Sequence, residues 1–236
     1  MASLQEALRL LRGRYGEPSV IAPSDPFELL LWEYVAYLTD DTDRAAAFQR
    51  LKKEVGTRPA QIVAASPRTL EVICRSGGAI AFATRAQRMT TVAQRVIEKF
   101  NGTLTPLLRR PYDEARRILK SFPSIGPPGA DKILLLTGAH RVLALDSNAL
   151  RVVLRLGLGQ DQRGYAASYA SAQAAATPAL PRSIGAFQRA FHLLRRHGQE
   201  ICKRTVPRCF ECALNRVCPF SRAAAESLSL SAGRRP

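Results

Sequence analysis

Four of the five cysteines in this 236-residue chain, Cys202, Cys209, Cys212 and Cys218, fall within the single stretch ICKRTVPRCFECALNRVCPF. In a reducing compartment such crowding suits metal ligation better than disulfides. The C-x6-C-x2-C-x5-C spacing holds one close pair and no histidine. Zinc takes four sulfurs tetrahedrally but usually from a pair at each end, whereas an iron-sulfur cluster accepts uneven spacing. Cluster, zinc and two disulfides all satisfy the count.

Two further stretches carry chemistry. In LALDSNALRVVLRLG, Asp146 precedes a run with Ala149, Val152, Val153 and Leu156 on one face. A carboxylate there either caps the helix or stands free to stabilise developing positive charge and activate a nucleophile. The second stretch, FPSIGPPGADKILLL, follows the amphipathic YDEARRILKS and reads as helix, tight turn, helix. Gly126 is expected to supply a permissive backbone at the turn, and Pro127 and Pro128 fit the first turn of the next helix. That helix's free backbone N-H groups can then hold a phosphate.

The elements that must position these groups are helical. Asp25, Pro26 and Glu28 start a helix whose Phe27, Leu30, Leu31, Tyr34, Val35 and Leu38 share a face. Met89, Val92, Val96, Ile97 and Phe100 repeat the period up to Asn101-Gly102, as do Ile184, Phe187, Phe191 and Leu194 up to Gly198. Shorter helices fit 45–55, 67–75, 112–121, 129–137 and 148–156. Period-two alternation is absent and no repeat recurs, so the class is all-α and not a solenoid. Residues 158–183 fit a weak helix and loops, and 221–236 a mobile tail.

The charge says what such a fold serves. Thirty-five Lys and Arg against nineteen Asp and Glu leave +16, and 46% hydrophobic residues are enough to bury a core. A disordered polycation is thereby excluded, and the surplus on a folded surface points to a polyanion, with nucleic acid ahead of a membrane. No segment reaches the ~20 apolar residues that span a bilayer. The expected setting is cytoplasmic and nucleoid-associated.

With these residues in view, the cysteine loop, preceded by HLLRRHGQEIC, resembles the 4Fe-4S loop of the endonuclease III family of DNA glycosylases. The hairpin resembles that family's helix-hairpin-helix, whose turn is usually Leu-Pro-Gly-Val-Gly; Ser124 stands where its first glycine is expected. The Asp146 segment is similar to the family's catalytic-aspartate motif. In members that also cut the strand, a lysine eighteen residues before the aspartate forms a Schiff base; that position is Pro128, and Lys132 lies one helical turn later. The stretch PFELLLWEYVAYLTDDTDRAAAF is similar to the opening helix of the six-helix domain. The family's wedge glutamine there corresponds to Leu38, followed by Thr39, Asp40, Asp41 and Asp43. A buried helix residue is the expected reading of Leu38, although other DNA-bending proteins use leucine as an apolar wedge. The resemblance is closest over 105–220 and thinner over 25–104.

The resemblance implies two helical domains, 25–140 with the hairpin and 1–24 plus 141–220 with the cluster, and a DNA-binding cleft between them. It implies a base-excision repair glycosylase acting as a monomer on double-stranded DNA. The base is flipped out and Asp146 assists water in hydrolysing its N-glycosidic bond. Cys202, Cys209, Cys212 and Cys218 would ligate a 4Fe-4S cluster. Ser124, Gly126, Gly129, Lys203, Arg204 and Arg208 would contact DNA, with Arg216 also available on the cluster loop. The alternatives are a bifunctional lyase using Lys132 and a DNA-binding protein that no longer catalyses.

Overall fold

A computed structural model describes residues 3–19 and 22–223. Among them the regular structure is helical, with no strand. The elements are α1 (Leu4–Tyr15), α2 (Pro26–Val35), α3 (Asp41–Glu54), α4 (Pro59–Ala64), α5 (Pro67–Ser76), α6 (Phe82–Phe100), α7 (Tyr112–Lys120), α8 (Pro127–Leu136), α9 (Ser147–Arg155), α10 (Tyr165–Ala176) and α11 (Ile184–Glu200). The chain divides into two compact units, Ile21–His140 and Met1–Val20 with Arg141–Pro236.

In the unit Ile21–His140, α2 is apolar nearly all round and is accordingly wrapped by other helices. Its Leu29, Leu30, Leu31, Tyr34 and Val35 are buried, and it packs on α3, α6 and α8. The Asp25 carboxylate accepts the N-H groups of Phe27 and Glu28, both at 2.9 Å, and Pro26 occupies the first turn, where its missing donor is harmless. The long helix α6 lays Met89, Val92, Ala93 and Val96 against α2, α4 and α5. Ile97, on the edge of that stripe, is 41% exposed. The aromatic side chains of α2 belong to the core: Tyr34 donates to the carbonyl of Pro123 at 2.6 Å, and Trp32 meets Phe48 edge-on.

In the other unit, α11 packs against α9 and α1, and α10 packs against α9. Gly198 permits the close approach of α11 to α9, because a Cβ there would lie 2.5 Å from the Asn148 carbonyl oxygen. The stretch 158–183, expected as a weak helix and loops, contains α10, which buries Tyr169, Ala172 and Ala176. Residues 219–223 make a helical turn, and the remainder of the expected mobile tail lies outside the described residues. No described helix is long and apolar enough to cross a membrane.

Candidate functional site

The hairpin joins α7 to α8 within the unit Ile21–His140. Asp131, fully buried on α8, accepts from the Tyr112 hydroxyl at 2.8 Å and pairs with Arg116 at 2.7 Å, which ties the two helices together. Phe122 and Ile125 bury the two ends of the turn. Its left-handed residue is Ser124, at φ +59°, whereas Gly126 has φ −84° and ψ −177°. The expectation that Gly126 supplies the unusual backbone is therefore corrected: Gly126 is an ordinary N-cap, and a Cβ on it would meet only Pro128 Cδ at 3.8 Å. The expected row of phosphate-binding amides is also shorter than foreseen. Pro127 and Pro128 have no N-H, so of the first three helical residues only Gly129 retains one.

Asp146 sits at the start of α9 in the other unit, with its carboxylate held from two sides. Oδ1 accepts the N-H groups of Asn148 and Ala149 at 3.0 and 2.9 Å, and Oδ2 accepts from Arg195 of α11 at 2.7 Å. Helix cap and ion pair coexist on one group. Arg195 and Asp146 are only 12% and 20% exposed, so solvent screens their attraction weakly. The next turns of α9 connect this carboxylate to the cysteine loop. Arg151 donates to Asn148 Oδ1, Gly198 O and Cys202 O at 2.7 to 2.8 Å. Arg155 donates to Cys202 Sγ at 3.2 Å and to Lys203 O at 2.8 Å, with its guanidinium over the Phe220 ring.

Cys202, Cys209, Cys212 and Cys218 line one pocket with Val152, Leu156, Ile201 and Leu214. Burial pushes the Cys212 thiol up to about 11 and raises that of Cys218. Thiols in such surroundings ionise only when a cation compensates them. The Leu214 N-H and Arg155 already donate to Cys212 and Cys202 sulfurs, an arrangement suited to thiolates. His197, buried and lowered to about 4 chiefly by desolvation and then by Arg14, is a neutral ring between Tyr15 and Cys212. Among the described residues no group of three or more His, Cys, Asp or Glu side chains is gathered closely enough to hold a metal ion. The four sulfurs share the lining of one pocket, a donor set of the kind that a metal ion or a cluster takes.

Of the basic residues expected on this loop, Lys203 and Arg204 are exposed, while Arg208 forms an ion pair with Glu211. Lys132 differs more from expectation. Its ammonium lies 2.6 Å from Glu33 of α2, and both side chains are largely buried. Nothing in the sequence marks the pairing, because the partners are 99 positions apart.

Leu38 is the clearest departure. Expected as a buried helix residue, it is 75% exposed, has φ +51° and lies beyond the end of α2. The cause is the buried Arg85, whose guanidinium donates to the carbonyls of Tyr34 and Val35 and thereby uses the acceptors that another helical turn would need. The same guanidinium binds Cys74 O, Gly78 O and Ile80 O. It thus fastens the segment bearing Tyr37 and Leu38 to the one bearing Ile80, all three exposed. The acids that follow serve α3: Asp40 caps it by accepting from Asp43 N-H at 2.8 Å.

Compared with models of known protein families, the chain matches none. It is 26% identical to endonuclease III of Treponema pallidum (strain Nichols) over 137 residues, a match spanning 58% of this chain and 58% of that protein's length. A solved endonuclease III in a non-covalent complex with DNA superposes with TM-score 0.75 at 21% identity, covering 96% of this chain and all of that one. A thermostable thymine-DNA glycosylase gives TM-score 0.70 at 17% identity, covering 93% and 95%. Hairpin, capped aspartate and cysteine loop occur here within the helical fold of the endonuclease III-like DNA glycosylases.

Proposed function

We propose that the protein is a base-excision DNA glycosylase that draws a damaged or mismatched base out of double-stranded DNA and hydrolyses its N-glycosidic bond. The observation that carries the reading is Asp146, a carboxylate fixed at a helix start by two amides and by Arg195. Departure of the base builds positive charge on the sugar, and a pre-oriented carboxylate stabilises that charge without reorganising. The same group can accept the proton of the attacking water. On this reading the chain acts as a monomer. Ser124, Gly126 and Gly129 of the hairpin, with Lys203 and Arg204, meet phosphates, which position the protein without reading bases. Leu38 enters the duplex, in keeping with its exposure and with its anchoring through Arg85.

Cys202, Cys209, Cys212 and Cys218 would hold a 4Fe-4S cluster. When bound, it supplies a structural cross-link that orders the loop. Arg151 and Arg155 carry that order into α9 and hence to Asp146.

A specific observation favours a second reading, a DNA-binding protein without catalysis. Both candidate reactive groups are already paired, Asp146 with Arg195 and Lys132 with Glu33. A panel of duplexes, each with one defined lesion or mismatch, separates the readings. A glycosylase releases a free base from at least one duplex, whereas retention of every base under conditions where the duplexes are bound overturns the enzymatic reading.

A further inference from the structure

Tyr165, the first residue of α10, is 48% exposed. Its place follows from how α10 holds the segment leading to Asp146. Gln173 Nε2 and the Tyr169 hydroxyl both donate to Leu143 O, at 2.8 and 3.5 Å, so the residues before Asp146 lie along this helix. One turn before Tyr169, the Tyr165 ring stacks on it with centroids 6.4 Å apart and planes inclined by 21°. Burial of its inner side, and then the nearby Asp146 charge, push the phenol up to about 12, so the hydroxyl stays a donor throughout the working pH range. That hydroxyl makes no hydrogen bond among the described residues. Asp146 thus has a guanidinium on one oxygen, and the helix that holds the segment leading to it begins with a half-exposed aromatic ring backed by Tyr169.

We infer that Tyr165 is a substrate-positioning residue, whose ring receives the deoxyribose of the extruded nucleotide and sets its anomeric carbon beside Asp146. The inference rests on the glycosylase reading. A flat ring with a polar edge suits a sugar: its face packs on the sugar's C-H groups, and its hydroxyl donates to a flanking phosphate.

The test uses the full chain and two duplexes of one sequence, one undamaged and one carrying a single tetrahydrofuran abasic analogue, which presents the sugar without a base. Affinities are measured by fluorescence anisotropy for the parent, Tyr165→Ala, Tyr165→Leu and Tyr165→Phe. The expected result is a preference of the parent for the abasic duplex. Tyr165→Ala and Tyr165→Leu should lose about tenfold on that duplex and nothing on the undamaged one, while Tyr165→Phe stays within about threefold of the parent. Tyr165→Leu preserves apolar bulk if alanine unfolds α10, and thermal melting verifies the fold of each variant. A full preference retained by a folded Tyr165→Leu overturns the inference and leaves the glycosylase reading standing. Equal losses on both duplexes overturn it too, because a general DNA contact or a structural role weakens both. A parent with no preference overturns the inference, and the base-release panel decides the glycosylase reading separately.

Discussion

The Asp146 carboxylate divides its two oxygens between two duties: Oδ1 caps α9, and Oδ2 lies 2.7 Å from Arg195 of α11. A cap alone would fix one edge of the group and leave the other to solvent. With Arg195 on the second oxygen the carboxylate has one orientation, and α9 and α11 are joined at the point where chemistry is proposed. Asp146 is therefore both a helix cap and a pre-oriented anion.

Asp146→Asn separates the two duties. Asparagine caps about as well as aspartate, so the α9 start should persist, but the charge facing Arg195 is lost. Stability should fall by no more than about 1.5–3 kcal/mol, the scale of a hydrogen bond to a charged group, because the asparagine amide oxygen can still accept from Arg195. Glycosylase turnover should fall at least about a hundredfold, with DNA affinity retained. Urea unfolding, a base-release assay and anisotropy check the three quantities, and undiminished turnover would remove Asp146 from the chemistry.

At the hairpin, Ser124→Gly should stabilise the protein. A non-glycine residue in the left-handed region costs about 1–2 kcal/mol, and glycine's extra unfolded-state entropy returns part of that, so a net gain of about 0.5–1 kcal/mol is expected. Gly126→Ala should be nearly neutral, since φ is −84° and the nearest atom to a new Cβ lies at 3.8 Å. Denaturant midpoints of the two variants measure both effects, and the opposite order would mean that the turn is built differently.

This contrast illustrates what could be read from the sequence. Helix starts that announce themselves locally were legible, such as Asp25 before Pro26 and Asp146 before Ser147, because capping depends on residues two or three apart. The cysteine spacing was legible for the same reason. Arg195 against Asp146, Glu33 against Lys132 and the carbonyls gathered by Arg85 were not, since the partners lie 49, 99 and up to 51 positions apart and no local pattern connects them. Leu38 departs from its periodicity for the same reason: the apolar period continues through it, but a distant guanidinium ends the helix before it. At the hairpin, residue type points to glycine at 126, whereas the left-handed backbone belongs to a serine two residues earlier.

Protein purified anaerobically should be brown and contain about four iron atoms per chain, as expected of four cysteine ligands to one cubane cluster. Cys212→Ser should lower the iron content and the melting temperature together, because ligation and loop folding are coupled. Stoichiometric zinc with no iron would change the identity of the metal and leave the ligand set intact.

DNA affinity should fall steeply with salt. Neutralising Lys203 or Arg204 should reduce the slope of log affinity against log salt by about one each, equally for all sequences. Arg208→Ala should do less, because Glu211 already balances that guanidinium. Anisotropy titrations over a salt series discriminate the three, and a slope unchanged by Lys203→Ala and Arg204→Ala would place the DNA surface elsewhere.

Lys132 bears on whether the protein can also cut the strand. A Schiff base requires an amine lone pair aimed at the sugar carbon, and the ammonium of Lys132 is held at 2.6 Å by Glu33, with 15% of its side chain exposed. Freeing it means breaking a largely buried ion pair, which leaves Glu33 uncompensated and costs about 3–5 kcal/mol. Borohydride added during turnover should therefore trap no covalent adduct with the parent protein. Lys132→Gln should leave base release within about threefold while destabilising the unit Ile21–His140, because one buried charge then lacks its partner. Glu33→Gln gives the complementary measurement: it loosens the hold on Lys132, and an adduct that forms only in this variant would show the ion pair to be what restrains the amine. A strong adduct in the parent that disappears in Lys132→Gln would instead make Lys132 a nucleophile despite its pairing, and the enzyme a bifunctional lyase.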